Sequence, residues 1–295
     1  MRQWLPWLDR QGRFSALRAA TFALVLVPAL VLASEAGMGQ LGAKPWTRAV
    51  HDTGTWAVRL LLITLAVSPL RRILDWPKLI GIRRMLGLSV LAFAAGHFTL
   101  YCIDLAFDWG LIASEIVKRF YLIVGITALT GLVALGVTST DGMIRRMGGK
   151  NWQRLHNLIY PIALLALLHF ALQAKIDVTE PMLMTGLFAL LMAYRGLGRL
   201  GIAPTPPALA ATALAAGLVT ALVETAWYAL STGASAWMVF QANADIAVYG
   251  DLTALRPGHW VALAGLAVAL AAAFRRPRAG QTRPQRARTP ASATS

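Results

Sequence analysis

Long apolar runs alternate with short polar connections along this chain. Eight runs approach the ~20 residues that a helix needs to cross a bilayer. They fall at roughly 15–34, 50–70, 86–107, 117–137, 155–174, 181–199, 206–230 and 258–274, the last being the shortest. The pattern predicts an all-α fold, a polytopic transmembrane helix bundle. A six-helix core covers 1–200 and an accessory two-helix hairpin covers 201–274, with the break at Pro204-Thr205-Pro206-Pro207 between them. No internal repeat is evident, and no small-residue cleavage motif follows the first span.

Composition agrees with the pattern. Of 295 residues, 57% are hydrophobic and only 14% charged, which excludes an ordinary soluble domain. A net charge of +15 would suggest nucleic acid in a soluble protein. Here the basic residues gather in every second connection: Arg71 to Arg84, Arg145 to Arg154, Arg195 and Arg199. Those connections plus the two termini hold 21 of the 28 Lys and Arg, so the positive-inside rule puts both termini in the cytoplasm. The tail over 275–295 is basic, rich in Pro, Ala, Thr and Ser, and expected to be disordered. The single cysteine, Cys102, excludes a disulfide framework and a cysteine-ligated iron–sulfur cluster within this chain.

Four histidines then change the picture, because ionisable side chains inside a membrane are rare and costly. His97 sits about twelve residues past a basic connection, ~18 Å along a helix. His169 sits near the far end of a span running the same way, so the two can share a depth. Facing neutral imidazoles would make a six-coordinate haem with no open position, suited to electron transfer. His156 lies near the basic end of the span that holds His169, ~19 Å away, with Pro161 between them as a possible kink. The position that should partner it is Arg84, beside Arg83. That suggests either an unusual haem ligand or an anionic cofactor such as a flavin phosphate. His51 reads as the start of its span, with Asp52 and Thr53 as caps, and as a neighbour of the outer haem, a quinol-site base or an alternative ligand. His51, Thr55 and Arg59 share a helix face at four-residue spacing, a candidate surface for a haem propionate or quinone headgroup. Tyr101 and Asp104 end their span and could bond groups at the outer site. His259, after Arg256-Pro257-Gly258, reads as a surface residue in a turn, and the last two spans are expected to bury no histidine. No Gly-rich nucleotide fingerprint follows a strand, so nothing indicates an NAD(P)H-binding domain.

Several segments occur together in order over residues 44–175: KPW with VHDTGTWAVRLLLITLAVSPLRR, IRRMLGL, HFTLY from His97, VTST, WQRLHNLIY and HFALQAK from His169. This set resembles the MsrQ (formerly YedZ) family of the ferric-reductase-like transmembrane superfamily, whose region here is about 50–175. The resemblance implies a haem b and FMN protein of the bacterial inner membrane. It would pass electrons from the quinone pool to a periplasmic molybdopterin methionine sulfoxide reductase that repairs oxidised methionine in envelope proteins. Catalysis of that reduction would belong to the partner. His97, His156 and His169 match the family's haem-associated histidines, and His51 matches its histidine at the start of span two. The residue readings and the resemblance together make His51, Arg59, Arg83, Arg84 and His156 the expected cofactor contacts, and His97, His169 and His156 the expected iron ligands. Arg84 stands where the superfamily would place a histidine. Two other readings are a ferric or other small-acceptor reductase fed by a cytoplasmic flavoprotein, and a proton-coupled transporter.

Overall fold

The first apolar run folds as α1 (Ala16–Gly37), whose Leu24, Leu30 and Val31 stay exposed on the protein surface, as lipid-facing side chains do. In this computed structural model residues 5–9, 11–174, 177–245 and 254–275 are described. Arg2, Arg10, Lys175, Asp251 and the basic tail beyond Arg275 lie outside the described residues. The remaining helices are α2 (Pro45–Ile73), α3 (Arg83–Asp104), α4 (Trp109–Lys118), α5 (Phe120–Val137), α6 (Asp141–Met147), α7 (Gly149–His156), α8 (Ile159–Gln173), α9 (Thr179–Arg199), α10 (Pro206–Thr232), α11 (Ala236–Ala244) and α12 (Pro257–Ala273). Among the described residues seven segments are long and apolar enough to cross a membrane, α12 is a shorter apolar helix, and the chain is a multi-pass membrane protein.

Local chemistry sets the helix ends. Pro45 opens α2 with its ring-fixed φ and no wasted N–H, and Arg71 and Arg72 close it where the helix dipole favours cations. His51 is therefore well inside α2 rather than at its start. Asp52 pairs with Arg48 (3.6 Å), and the Thr53 hydroxyl donates back to the Ala49 carbonyl (2.7 Å), so neither caps the helix. The Asp108 carboxylate caps α4 by accepting from the Leu111 N–H (2.9 Å). The turn before it holds Ala106 and Phe107 at φ 51° and 56°, a left-handed pair that non-glycine residues rarely adopt. This turn folds α4 back so that Ile116 reaches the interior described below. The fifth apolar run is not continuous. It breaks at Asn157-Leu158, and Pro161 sits in the first turn of α8, where a missing N–H is tolerated.

α2 and α3 pack as one pair and α5 and α8 as another, and the two pairs face each other. α9 lies between this four-helix group and the α10–α12 pair. His259 corrects the expectation of a surface turn. Pro257 starts α12, and its first turn packs on α10, leaving His259 only 8% exposed with its Nδ1 accepting from the Arg256 N–H.

Candidate functional site

A cavity of about 320 Å³ lies between α2, α3, α5 and α8, walled almost entirely by apolar side chains. His97 on α3 and His169 on α8 both line it, and their ring centroids are 6.2 Å apart with planes at 81°. Two imidazoles on opposite sides of one metal ion place their centroids roughly 6 Å apart, given metal–nitrogen bonds of roughly 2 Å.

Each ring is held in the same way. His97 Nδ1 lies 2.7 Å from the Val50 carbonyl of α2, and His169 Nδ1 lies 2.8 Å from the Tyr121 carbonyl of α5. A carbonyl only accepts, so both Nδ1 atoms carry the proton and both Nε2 atoms of the neutral rings keep a free lone pair. Such a backbone contact also fixes ring orientation and ligand basicity. One turn after each carbonyl stands a glycine. A Cβ at Gly54 would approach His97 Nδ1 to 2.9 Å, and one at Gly125 would approach His169 Nδ1 to 2.8 Å. No larger residue leaves room for the ring.

The likeness extends over the whole cavity. Every lining position of α2 recurs on α5 at a constant offset, from Val50 with Tyr121 to Leu61 with Leu132. Four lining positions of α3 recur likewise on α8. Gly54 with Gly125, Ala57 with Ala128, Leu61 with Leu132, Ala94 with Ala166, His97 with His169 and Phe98 with Phe170 are identical pairs. The cavity is thus two copies of one arrangement, a glycine-bearing platform helix and a histidine-bearing helix. The sequence shows no evident repeat because identical pairs are sparse along the two halves.

A profile of the ferric reductase like transmembrane component family matches residues 53–167, which run from within α2 to within α8 and end two residues before His169. A protein from Xanthomonas campestris, named protein-methionine-sulfoxide reductase heme-binding subunit MsrQ, is 47% identical over 192 residues, 63% of this chain and 88% of that protein. The chain belongs to the MsrQ family. A Rhodospirillum rubrum protein of the same name is 42% identical over 188 residues, with the same shares covered. Another from Xanthomonas axonopodis pv. citri is 47% identical over 162 residues, 55% of this chain and 74% of its own length. No solved structure matches.

The other expected site residues of this MsrQ family member divide into two groups. His51 and Thr55 line the cavity, and Gln173 Nε2 lies 3.3 Å from His51 Nε2. Arg59 does not line it. Its guanidinium pairs with Glu180 at the start of α9 (2.5 Å) and covers the Trp56 ring, so a protein carboxylate occupies the charge expected for a propionate or headgroup. Asp104 accepts from the Thr47 hydroxyl (3.4 Å), tying the end of α3 to the start of α2.

At the opposite end of the bundle His156 closes α7 away from the cavity. Its ring stacks on Trp152 at 3.8 Å, Nδ1 meets the Trp152 carbonyl (3.1 Å) and Nε2 meets the Ser139 hydroxyl (3.3 Å). Arg84 pairs with Asp141 (2.5 Å) and Arg83 donates to Ser68 (3.4 Å). All three side chains are thus engaged by the protein. Sequence reasoning missed Gly54, Gly125 and Gln173. A glycine inside an otherwise helical apolar run was the available signal for the first two.

Proposed function

We propose that the chain holds haem b between His97 and His169 and serves as the membrane electron-transfer subunit of a protein-methionine-sulfoxide reductase. Its electrons come from the quinone pool and leave to a periplasmic molybdopterin partner, on which methionine sulfoxide is reduced. The 6.2 Å separation of the two rings carries this reading. The relatives named as heme-binding subunits agree with it. The bound haem supplies one-electron chemistry.

The protein's own part is positioning. The Val50 and Tyr121 carbonyls keep both Nε2 atoms unprotonated, and Gly54 and Gly125 give both rings space. His97 and His169 would hold the haem from two helices, and the group would then supply electron transfer rather than the binding of small acceptors. The apolar walls exclude water and limit the reorganisation that accompanies a change of charge. The basic connections at the far end face the cytoplasm with both termini, and the cavity end, with the start of α2 and the end of α8, faces the periplasm. His156, Arg83 and Arg84 stand ~19 Å or more along the helices from the level of His97 and His169 and are engaged by protein partners, so no role is assigned to FMN.

The family profile favours a second reading, a small-acceptor reductase fed by a cytoplasmic flavoprotein. Purified protein with its haem content and optical spectrum decides the first point. A low-spin b-type spectrum lost in both His97→Ala and His169→Ala supports the ligand pair. A colourless wild type expressed with ample haem overturns it. A wild type that reduces ferric chelates from a flavoprotein, but not the molybdopterin partner from quinol, selects the second reading.

A further inference from the structure

The two halves of the cavity differ at a few positions, and most of these differences lie at one end. His51 faces Leu122 across the repeat, Thr55 faces Ile126, Gln173 takes the place of Tyr101, and Tyr121 that of Val50. This end is the rim where α2 and α5 begin and α3 and α8 finish. Deeper lining positions, such as Ala57, Leu61, Ala94 and their counterparts, are apolar in both halves. A carboxylate placed there would lose its water with nothing to replace it. The rim alone offers donors.

We propose that Thr55 and Gln173, with His51 orienting Gln173, bind the carboxylate side chains of the tetrapyrrole on the α2–α8 side of this rim. The inference rests on the haem reading above. The Thr55 hydroxyl has no hydrogen-bond partner among the described residues, whereas Thr53 and Thr64 on the same helix donate back to carbonyls at 2.7 Å. Gln173 Oε1 is buried and also unpartnered. Half a turn of the amide lets Oε1 accept from the His51 ring and puts the NH2 donor at the unpartnered position. Two donors then converge where the cavity meets the surface, and hydrogen bonds to an ionised acceptor are the strong kind. The opposite side of the rim is less suited. The Tyr121 hydroxyl accepts from Arg119 (3.3 Å), and Arg119 is itself paired with Glu115 (2.5 Å), whose charge repels a carboxylate.

The test compares haem with its dimethyl ester, which keeps the ring and iron but lacks free carboxylates. Each is loaded into the purified full chain, and its loss to an excess of a haem-scavenging protein is timed. The wild type is expected to lose the ester roughly tenfold faster or more. Thr55→Val with Gln173→Leu is expected to lose both forms at one rate while keeping the low-spin spectrum. Tyr101→Phe with Tyr121→Phe is expected to retain the difference. A difference that survives in the Thr55/Gln173 variant, or vanishes in the tyrosine variant, overturns the proposal. If the double variant binds no haem, the near-isosteric Thr55→Val alone supplies the comparison, with a partial loss of the difference expected and an unchanged difference overturning it. A wild type holding both forms equally defeats only this inference; a wild type holding neither defeats the haem reading too.

Discussion

Gly54 and Gly125 each face a histidine ring that crosses from another helix. In the α10–α12 pair, Gly217 and Gly258 instead face each other, and a Cβ on either would stand 2.8 Å from the other's carbonyl oxygen. The first pair lines the large cavity, and the second brings α10 and α12 into contact beside a smaller pocket of about 150 Å³. Small residues let membrane helices approach because lipid gives no hydrophobic drive to associate. The contrast in buried polar groups runs the same way. In the four-helix group the polar atoms meet backbone carbonyls and leave lone pairs aimed inward. In the C-terminal pair Glu224 is 0% exposed and meets Arg256 at 2.5 Å. One region encloses the larger, two-histidine cavity, and the other is dominated by the contact of its own two helices.

The largest expected effect comes from the C-terminal pair. Arg256→Ala leaves the fully buried Glu224 without its cation, which costs about 3 kcal/mol or more in comparable pairs. Thermal unfolding in detergent is expected to fall markedly, and Glu224→Leu on top of it to recover most of the loss. Haem content should be unchanged in the double variant. Loss of haem there would mean that the two regions are one unit.

Gly125→Ala is the converse probe. Its methyl would stand 2.8 Å from two atoms of the His169 ring, so the ring must shift from the Tyr121 carbonyl. Overpacking of this kind costs roughly 1–3 kcal/mol. Beside that loss in unfolding, smaller than for Arg256→Ala, the effect is expected on the ligand geometry: faster haem loss and a moved reduction potential. Gly54→Ala should act alike through His97, since the two sites are copies. A potential unmoved in both would show that the platform glycines do not position the rings.

Much of this organisation is legible in the sequence, for identifiable reasons. Bilayer-length apolar runs give the helices, and histidines within them at matching depth give the cavity pair. Platform carbonyls carry no side-chain signature, so Val50 and Tyr121 could not be found from residue type. The duplication hides because Val50 and Tyr121, or His51 and Leu122, share a place and not a chemistry. His259 was misplaced because Pro-Gly reads as a turn, whereas its proline here starts a helix. Arg59 was read as a cofactor contact from its depth and helix face alone. The acid that meets it comes from α9, 121 residues away in sequence, beyond the reach of any local pattern.

Arg59 gives the smallest expected effect and separates the two regions most directly. It lies on the same helix as Gly54 and His51, one turn beyond the cavity-lining Thr55, yet its guanidinium turns to Glu180. Both side chains are over a third exposed, at 37% and 35%, and ion pairs this open contribute about 1 kcal/mol or less. Arg59→Met keeps the stem that packs on Trp56 and removes only the charge. Stability should drop by no more than that, and the haem spectrum, ester discrimination and potential should stay at wild-type values. A clear loss of haem in Arg59→Met would place this cation at the cavity after all, and would move the boundary between holding and packing one turn along α2.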